Sequence, residues 1–147
     1  MQGVNEAVSE TAALEIVYKN LRMGTDGIIN LLPYVKQSTL RSAMTVQLDG
    51  YEKYAALVRV MLQEEGIIPK DVVGMRLVAK MGAAWRGMMG ITRTELAKAL
   101  IEASNACITD MTRLLNHIPV RESKGARLMR EVLALEENHV EILKAYL

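Results

Sequence analysis

One cysteine and no phenylalanine occur among the 147 residues, and aromatic side chains make up only 4% of them. The lone thiol, Cys107, closes no internal disulfide and builds no cysteine zinc site, so a disulfide scaffold is excluded and a reducing, cytoplasmic setting is expected. Neither sign of charge is in excess: 18 Lys and Arg stand against 17 Asp and Glu. That balance gives no electrostatic basis for gripping nucleic acid or an anionic membrane surface. No apolar run approaches the roughly 20 residues needed to cross a bilayer. The opening Met1-Gln2-Gly3-Val4-Asn5-Glu6 has neither a basic region nor an apolar stretch, so export is not expected. Three prolines and ten glycines are too few for a low-complexity, disordered chain. Alternation with a period of two, the mark of strands, is missing throughout.

What the chain has instead is apolar residues at helical spacing, in a total of 50%. That is enough for one large core in a single domain over 1–147. Spacings of three and four put residues on one helix face because 3.6 residues complete a turn. The first such stripe is Leu14, Val17, Leu21, Gly24, Ile28, Leu31 and Val35, opened by Ser9 as an N-cap and closed at Pro33. The second, Leu40, Ala43, Gln47, Gly50, Tyr54, Leu57 and Met61, starts after Ser38, a further N-cap candidate, and ends at Glu64-Glu65-Gly66. A third runs Ala97, Leu100, Ser104, Cys107, Met111, Leu114 and Ile118, behind Thr92-Arg93-Thr94-Glu95 with the form of a capping box. The fourth, Leu128, Val132, Leu135, His139, Ile142 and Tyr146, follows Ser123. Between the second and third lies a shorter amphipathic segment over 72–89.

The four stripes read as two copies of one hairpin. A shift of 83 residues lays Leu31-Leu32 on Leu114-Leu115, and a shift of 85 lays Met44 on Met129, Leu48 on Leu133 and Glu52 on Glu137. Two hairpins, 9–66 and 93–147, joined by a long connection with its own helix, are laid out as in an all-α, ferritin-like four-helix bundle with an extra short crossover helix. The order of parts, Arg22-Met23-Gly24 leading into Leu31-Leu32-Pro33, the run Tyr51-Glu52-Lys53-Tyr54 and the closing Glu136-Glu137-Asn138-His139-Val140-Glu141-Ile142-Leu143-Lys144-Ala145-Tyr146-Leu147 together resemble uncharacterised ferritin-like proteins of Firmicute bacteria over nearly the whole chain.

That resemblance raises the question of a metal. Ferritin-like di-iron proteins use one carboxylate from each of two helices and a Glu-x-x-His pair from each of the other two, since a spacing of three aims both side chains into the bundle. Glu136 and His139 form one such pair. The repeat places Tyr51 and Tyr54 where the second pair would stand, and phenols replace a carboxylate and an imidazole poorly. Inward positions at the same height on the first and third helices fall near Leu21 and Ser104. The expectation is a hydrogen-bonded internal cluster of Gln47, Tyr51, Tyr54, Glu136 and His139, because buried polar groups are costly without partners. Gly24 and Gly50, on facing stripes, leave room for its rings.

Other residues have ordinary roles. Cys107 lies at a core position with no basic neighbour to activate it, Asp110 flanks the third stripe, and His117 suits the last carbonyls of its helix. The segment 72–89 is less ordinary, with Met75, Met81, Met88 and Met89 around the only tryptophan, Trp85. A Met-rich surface with an aromatic anchor suits a contact between chains, so a homodimer or higher homo-oligomer is expected, with Met81, Trp85, Met88 and Met89 at the interface. The expected function is a non-catalytic structural or interaction module with no cofactor and no complete di-metal centre. One alternative is a metal-binding oxidoreductase or metal-handling protein holding iron, manganese or zinc at Glu136 and His139. The other is a bundle that takes a small apolar or planar ligand beside Gly24 and Gly50.

Overall fold

The computed structural model describes residues 9–69, 92–119 and 121–147. These hold four long helices and no strand: α1 (Glu10–Leu31), α2 (Ser38–Glu64), α3 (Arg93–His117) and α4 (Lys124–Lys144), with a 3-10 turn over Leu32–Tyr34. The helix expected over 72–89, with Met81, Trp85, Met88 and Met89, lies outside the described residues. No helix among the described residues is long and apolar enough to cross a membrane.

Local chemistry sets the helix ends. The Ala12 N–H donates to Ser9 Oγ at 3.0 Å, the Glu95 N–H to Thr92 Oγ1 at 3.1 Å and the Ala126 N–H to Ser123 Oγ at 3.1 Å. Each bond satisfies a donor that the first helical turn leaves unpaired. Helix α2 departs from expectation: Gln37 occupies its cap position without a side-chain bond, and Ser38 is already helical. Here the preceding helix end is tied down instead, because Arg41 Nη1 donates to the carbonyls of Leu32 at 2.5 Å and Val35 at 3.1 Å. Pro33 cannot supply the N–H that would carry α1 onward. At the far end of α2, Gly66 turns left-handed with φ 75°. The N–H groups of Ile67 and Gly66 then return to the carbonyls of Leu62 and Gln63, both at 2.9 Å. That pattern is a Schellman closure, for which glycine alone lacks a steric penalty.

Packing follows the repeat. The pairs Leu14 and Ala97, Val17 and Leu100, Leu21 and Ser104, Ile28 and Met111, and Leu31 and Leu114 are all buried, as are Met44 and Met129, Tyr51 and Glu136, Ala55 and Val140, and Val58 and Leu143. The described helices form a four-helix bundle in which each hairpin, α1 with α2 and α3 with α4, makes the most extensive contacts. Helix α4 lies against α2, and Gly125 at its start packs on the side chain of Glu10 at the start of α1. Arg59 of α2 donates to the phenol of the fully buried Tyr18 of α1 and stacks its guanidinium 5.5 Å from the ring centroid. The contact between α1 and α3 is thin. Small residues line that seam, and a cleft opens there.

Candidate functional site

The cleft between α1 and α3 has a volume of about 150 Å³. Its walls come from Asn20, Met23, Gly24, Gly27, Ile28 and Leu31 of α1 and from Ala99, Leu100, Ala103, Ser104, Ala106, Cys107 and Asp110 of α3. Gln47 and Tyr51 of α2 and Glu136 of α4 reach it from across the bundle. Helix period explains the shape. Gly24 and Gly27 stand three apart on α1, and Ala99 and Ala103 stand four apart on α3, so each helix turns a strip without bulky side chains toward the other.

Gly24 has a second effect. A Cβ built there would stand 2.7 Å from Cε2 and 2.9 Å from Cδ2 of Tyr51, so the Tyr51 ring lies in space that only glycine leaves. The ring is held from two other sides. Gln47 Nε2, one turn earlier on α2, donates to Tyr51 Oη at 2.7 Å, and the His139 imidazole meets the ring edge to face at 5.8 Å between centroids. Gln47 Nε2 also stands 3.5 Å from Ser104 Oγ on α3. Gly50, by contrast, faces Leu135 of α4 and opens no space at the centre.

The cluster expected from the sequence thus assembles around four of its five members. Gln47, Tyr51, Glu136 and His139 are buried together, and Ser104 joins them. Tyr54 does not. It is half-buried at the α2–α4 boundary, its hydroxyl donates to Glu131 Oε1 at 3.2 Å, and Lys53 Nζ lies 5.2 Å from its ring centroid. A phenol is long enough to pack its ring at an interhelical boundary while its hydroxyl reaches the surface, where the group is cheaper to satisfy. The equivalent His139 is shorter and stays inside.

Two atoms of the cluster are left over. Glu136 is 1% exposed and His139 3% exposed, and Glu136 Oε1 and His139 Nδ1 have no hydrogen-bond partner among the described residues. They stand 3.6 Å apart, beyond hydrogen-bond reach. Asn20 Nδ2 in the cleft wall is likewise buried and unpaired among the described residues. Electrostatics shape the surroundings. Burial first, then the charge and hydrogen bonding of Glu136, push the Tyr51 phenol well above its ordinary value, against a smaller downward pull from Gln47. Burial and Glu136 likewise push the Cys107 thiol upward, with a further contribution from Asp110. Both groups therefore keep their protons at neutral pH. Cys107, half-buried and in the cleft wall, is a protonated donor and no nucleophile.

Among the described residues no group of three or more His, Cys, Asp or Glu side chains is placed to hold a metal ion. Glu136 and His139 face Tyr51, Gln47 and Ser104, which are neutral oxygen and amide groups. A di-iron ion pair needs several carboxylates to balance its charge.

Sequence reasoning missed the α1 side of the cleft. Asn20, Met23 and Gly27 flank the first stripe, and their spacing around Gly24 is the signal that could have found them. Asp110, noted as flanking the third stripe, is exposed at the cleft. His117 Nδ1 meets the Arg113 carbonyl at 2.8 Å near the end of α3 and takes no part in the site. No family model, curated protein or solved structure matches the chain.

Proposed function

We propose that this protein is a non-catalytic, ferritin-like helical bundle whose cleft between α1 and α3 binds a small, largely apolar molecule. One observation carries the reading: small side chains on two facing helices leave a cleft of about 150 Å³ that ends on the buried polar cluster of Gln47, Tyr51 and Glu136. Ligand sites have this composition, apolar walls with a few convergent polar groups. A non-catalytic role is supported by the protonated Cys107 and by Ser104, whose near polar neighbour is the Gln47 amide, which is no base. An apolar cavity of about this size accepts benzene, so benzene is the probe. It should raise the thermal midpoint of the wild type by mass action and leave the midpoint of Ala103→Leu, whose added side chain fills the cleft, unchanged. No rise in the wild type would overturn the proposal.

A second reading, a metal-handling protein, is favoured by the two atoms of Glu136 and His139 that are unpaired among the described residues and close enough to share one ion. Elemental analysis after growth with iron, manganese and zinc tests it. Stoichiometric metal that is lost on His139→Ala would support this reading over the first.

A further inference from the structure

The cleft's polar end is one-sided in charge. Glu136 and Asp110 line it, and no Lys, Arg or His is among the described residues that do. The carboxylate of Glu136 is almost wholly removed from water, and its Oε1 is unpaired among the described residues. An unpaired buried carboxylate oxygen costs more than any neutral group in the same position. Its neighbours cannot make up the deficit. Tyr51 and Cys107 have one proton each, and His139 Nδ1 stands 3.6 Å away, itself unpaired among the described residues.

We infer that the ligand of this cleft is a small amine, with a protonated ammonium at Glu136 and an apolar body of about one aromatic ring along the glycine and alanine walls. The inference rests on the binding role proposed above and names the ligand's class. An ammonium has three donors and no acceptor. One such group can therefore donate to Glu136 Oε1, at the cleft's end, and keep two further donors for other oxygens there. A hydroxyl has only one proton to give. A carboxylate would meet Glu136 and Asp110 as a like charge. The body is limited by the volume of about 150 Å³, which corresponds to a benzene-sized group. The Tyr51 ring beside the carboxylate adds a π face of the kind that attracts cations.

The test compares three probes of nearly equal shape, benzylamine, benzyl alcohol and benzoate, by calorimetric titration of the full chain at neutral pH. Benzylamine should bind at least about tenfold more tightly than benzyl alcohol, with benzoate weakest, and Glu136→Gln should bring benzylamine to the level of the alcohol. The wild-type ranking decides the matter even if Glu136→Gln fails to fold. Equal binding of all three probes, or tighter binding of benzoate, would overturn the amine and leave the cleft's binding role standing. If none of the three binds, and benzene also leaves the midpoint unmoved, the binding role falls and the amine with it.

Discussion

Replacing Gly24 by alanine sets two effects of known size against each other. In a helix interior alanine is better than glycine by about 1 kcal/mol, and on that ground alone the change stabilises. The new Cβ, however, would stand 2.7 Å from Cε2, 2.9 Å from Cδ2 and 3.1 Å from Cζ of Tyr51. Carbon atoms rest about 3.5 to 4.0 Å apart, so the ring must move by nearly an ångström. It is a stiff plate tied at its hydroxyl to Gln47 at 2.7 Å and packed edge to face on His139. Overpacking of this kind costs about 1 to 3 kcal/mol. The net effect is a loss between zero and about 2 kcal/mol, and the clash becomes visible in a double-mutant cycle. In a Tyr51→Ala background the ring is gone, and Gly24→Ala should stabilise by the full helix preference of about 1 kcal/mol. The two backgrounds should therefore differ by about 1 to 3 kcal/mol, a coupling expected only of residues in contact. Urea unfolding followed by circular dichroism, with unchanged m values, measures all four corners. A gain of about 1 kcal/mol in the wild-type background would show that the Tyr51 ring does not lie over Gly24.

Tyr51→Ala should cost about 3 to 5 kcal/mol as a buried aromatic, while the half-buried Tyr54→Ala should cost about 1 kcal/mol, roughly half of a full side chain's burial; equal costs in urea unfolding would put Tyr54 inside. At alkaline pH, Tyr51 is raised well above its ordinary value in the fold, so its contribution is complete below about pH 10 and is lost as pH climbs through the folded value. Cys107 and Tyr54 are raised as well, so the comparison is made in a Cys107→Ala, Tyr54→Phe background, where adding Tyr51→Phe should flatten the loss of stability above pH 10; an unchanged slope would refute the assignment. Alkylation of Cys107 by iodoacetamide at pH 8 should be at least about tenfold slower in the native protein than in denaturant, and equal rates would mean an exposed, ordinary thiol. The homodimer proposed from Met81, Trp85, Met88 and Met89 is checked by sedimentation at micromolar concentration: Trp85→Ala should weaken association by about 2 kcal/mol or more, and a monomeric wild type would end that proposal.

The helices, and the buried faces of α1 and α3, were legible in the chain by itself. On α2 the stripe drawn through Ala43, Gly50, Tyr54, Leu57 and Met61 is one position off, since Met44, Tyr51, Ala55, Val58 and Leu62 are buried and Leu57 is exposed, and on α4 Ile142 is exposed while Glu136, Val140 and Leu143 are buried. The stripes of α1 and α3 hold, and the caps at Ser9, Thr92 and Ser123 are local bonds within three residues of their partners. Such features depend on neighbours in sequence, which the sequence specifies. The polar cluster was legible for the same reason: Gln47 and Tyr51, and Glu136 and His139, share helix faces by spacing, and the repeat matches the two pairs of helices. Other features belong only to the tertiary structure. Tyr54 and His139 are equivalent in the repeat, yet one packs half-buried at an interhelical boundary and the other is buried, because the phenol is long enough to reach Glu131 on another helix. Gly24 and Gly50 were read onto facing stripes, yet Gly24 admits the Tyr51 ring, while Gly50, one position before the buried Tyr51, meets Leu135. The cleft exists because α1 and α3, far apart in sequence, present their small residues to each other along a thin contact of the bundle. Spacing along one helix says which face a residue occupies. What stands across from that face depends on how the helices pack, and that decided which carboxylate oxygen was left without a partner among the described residues.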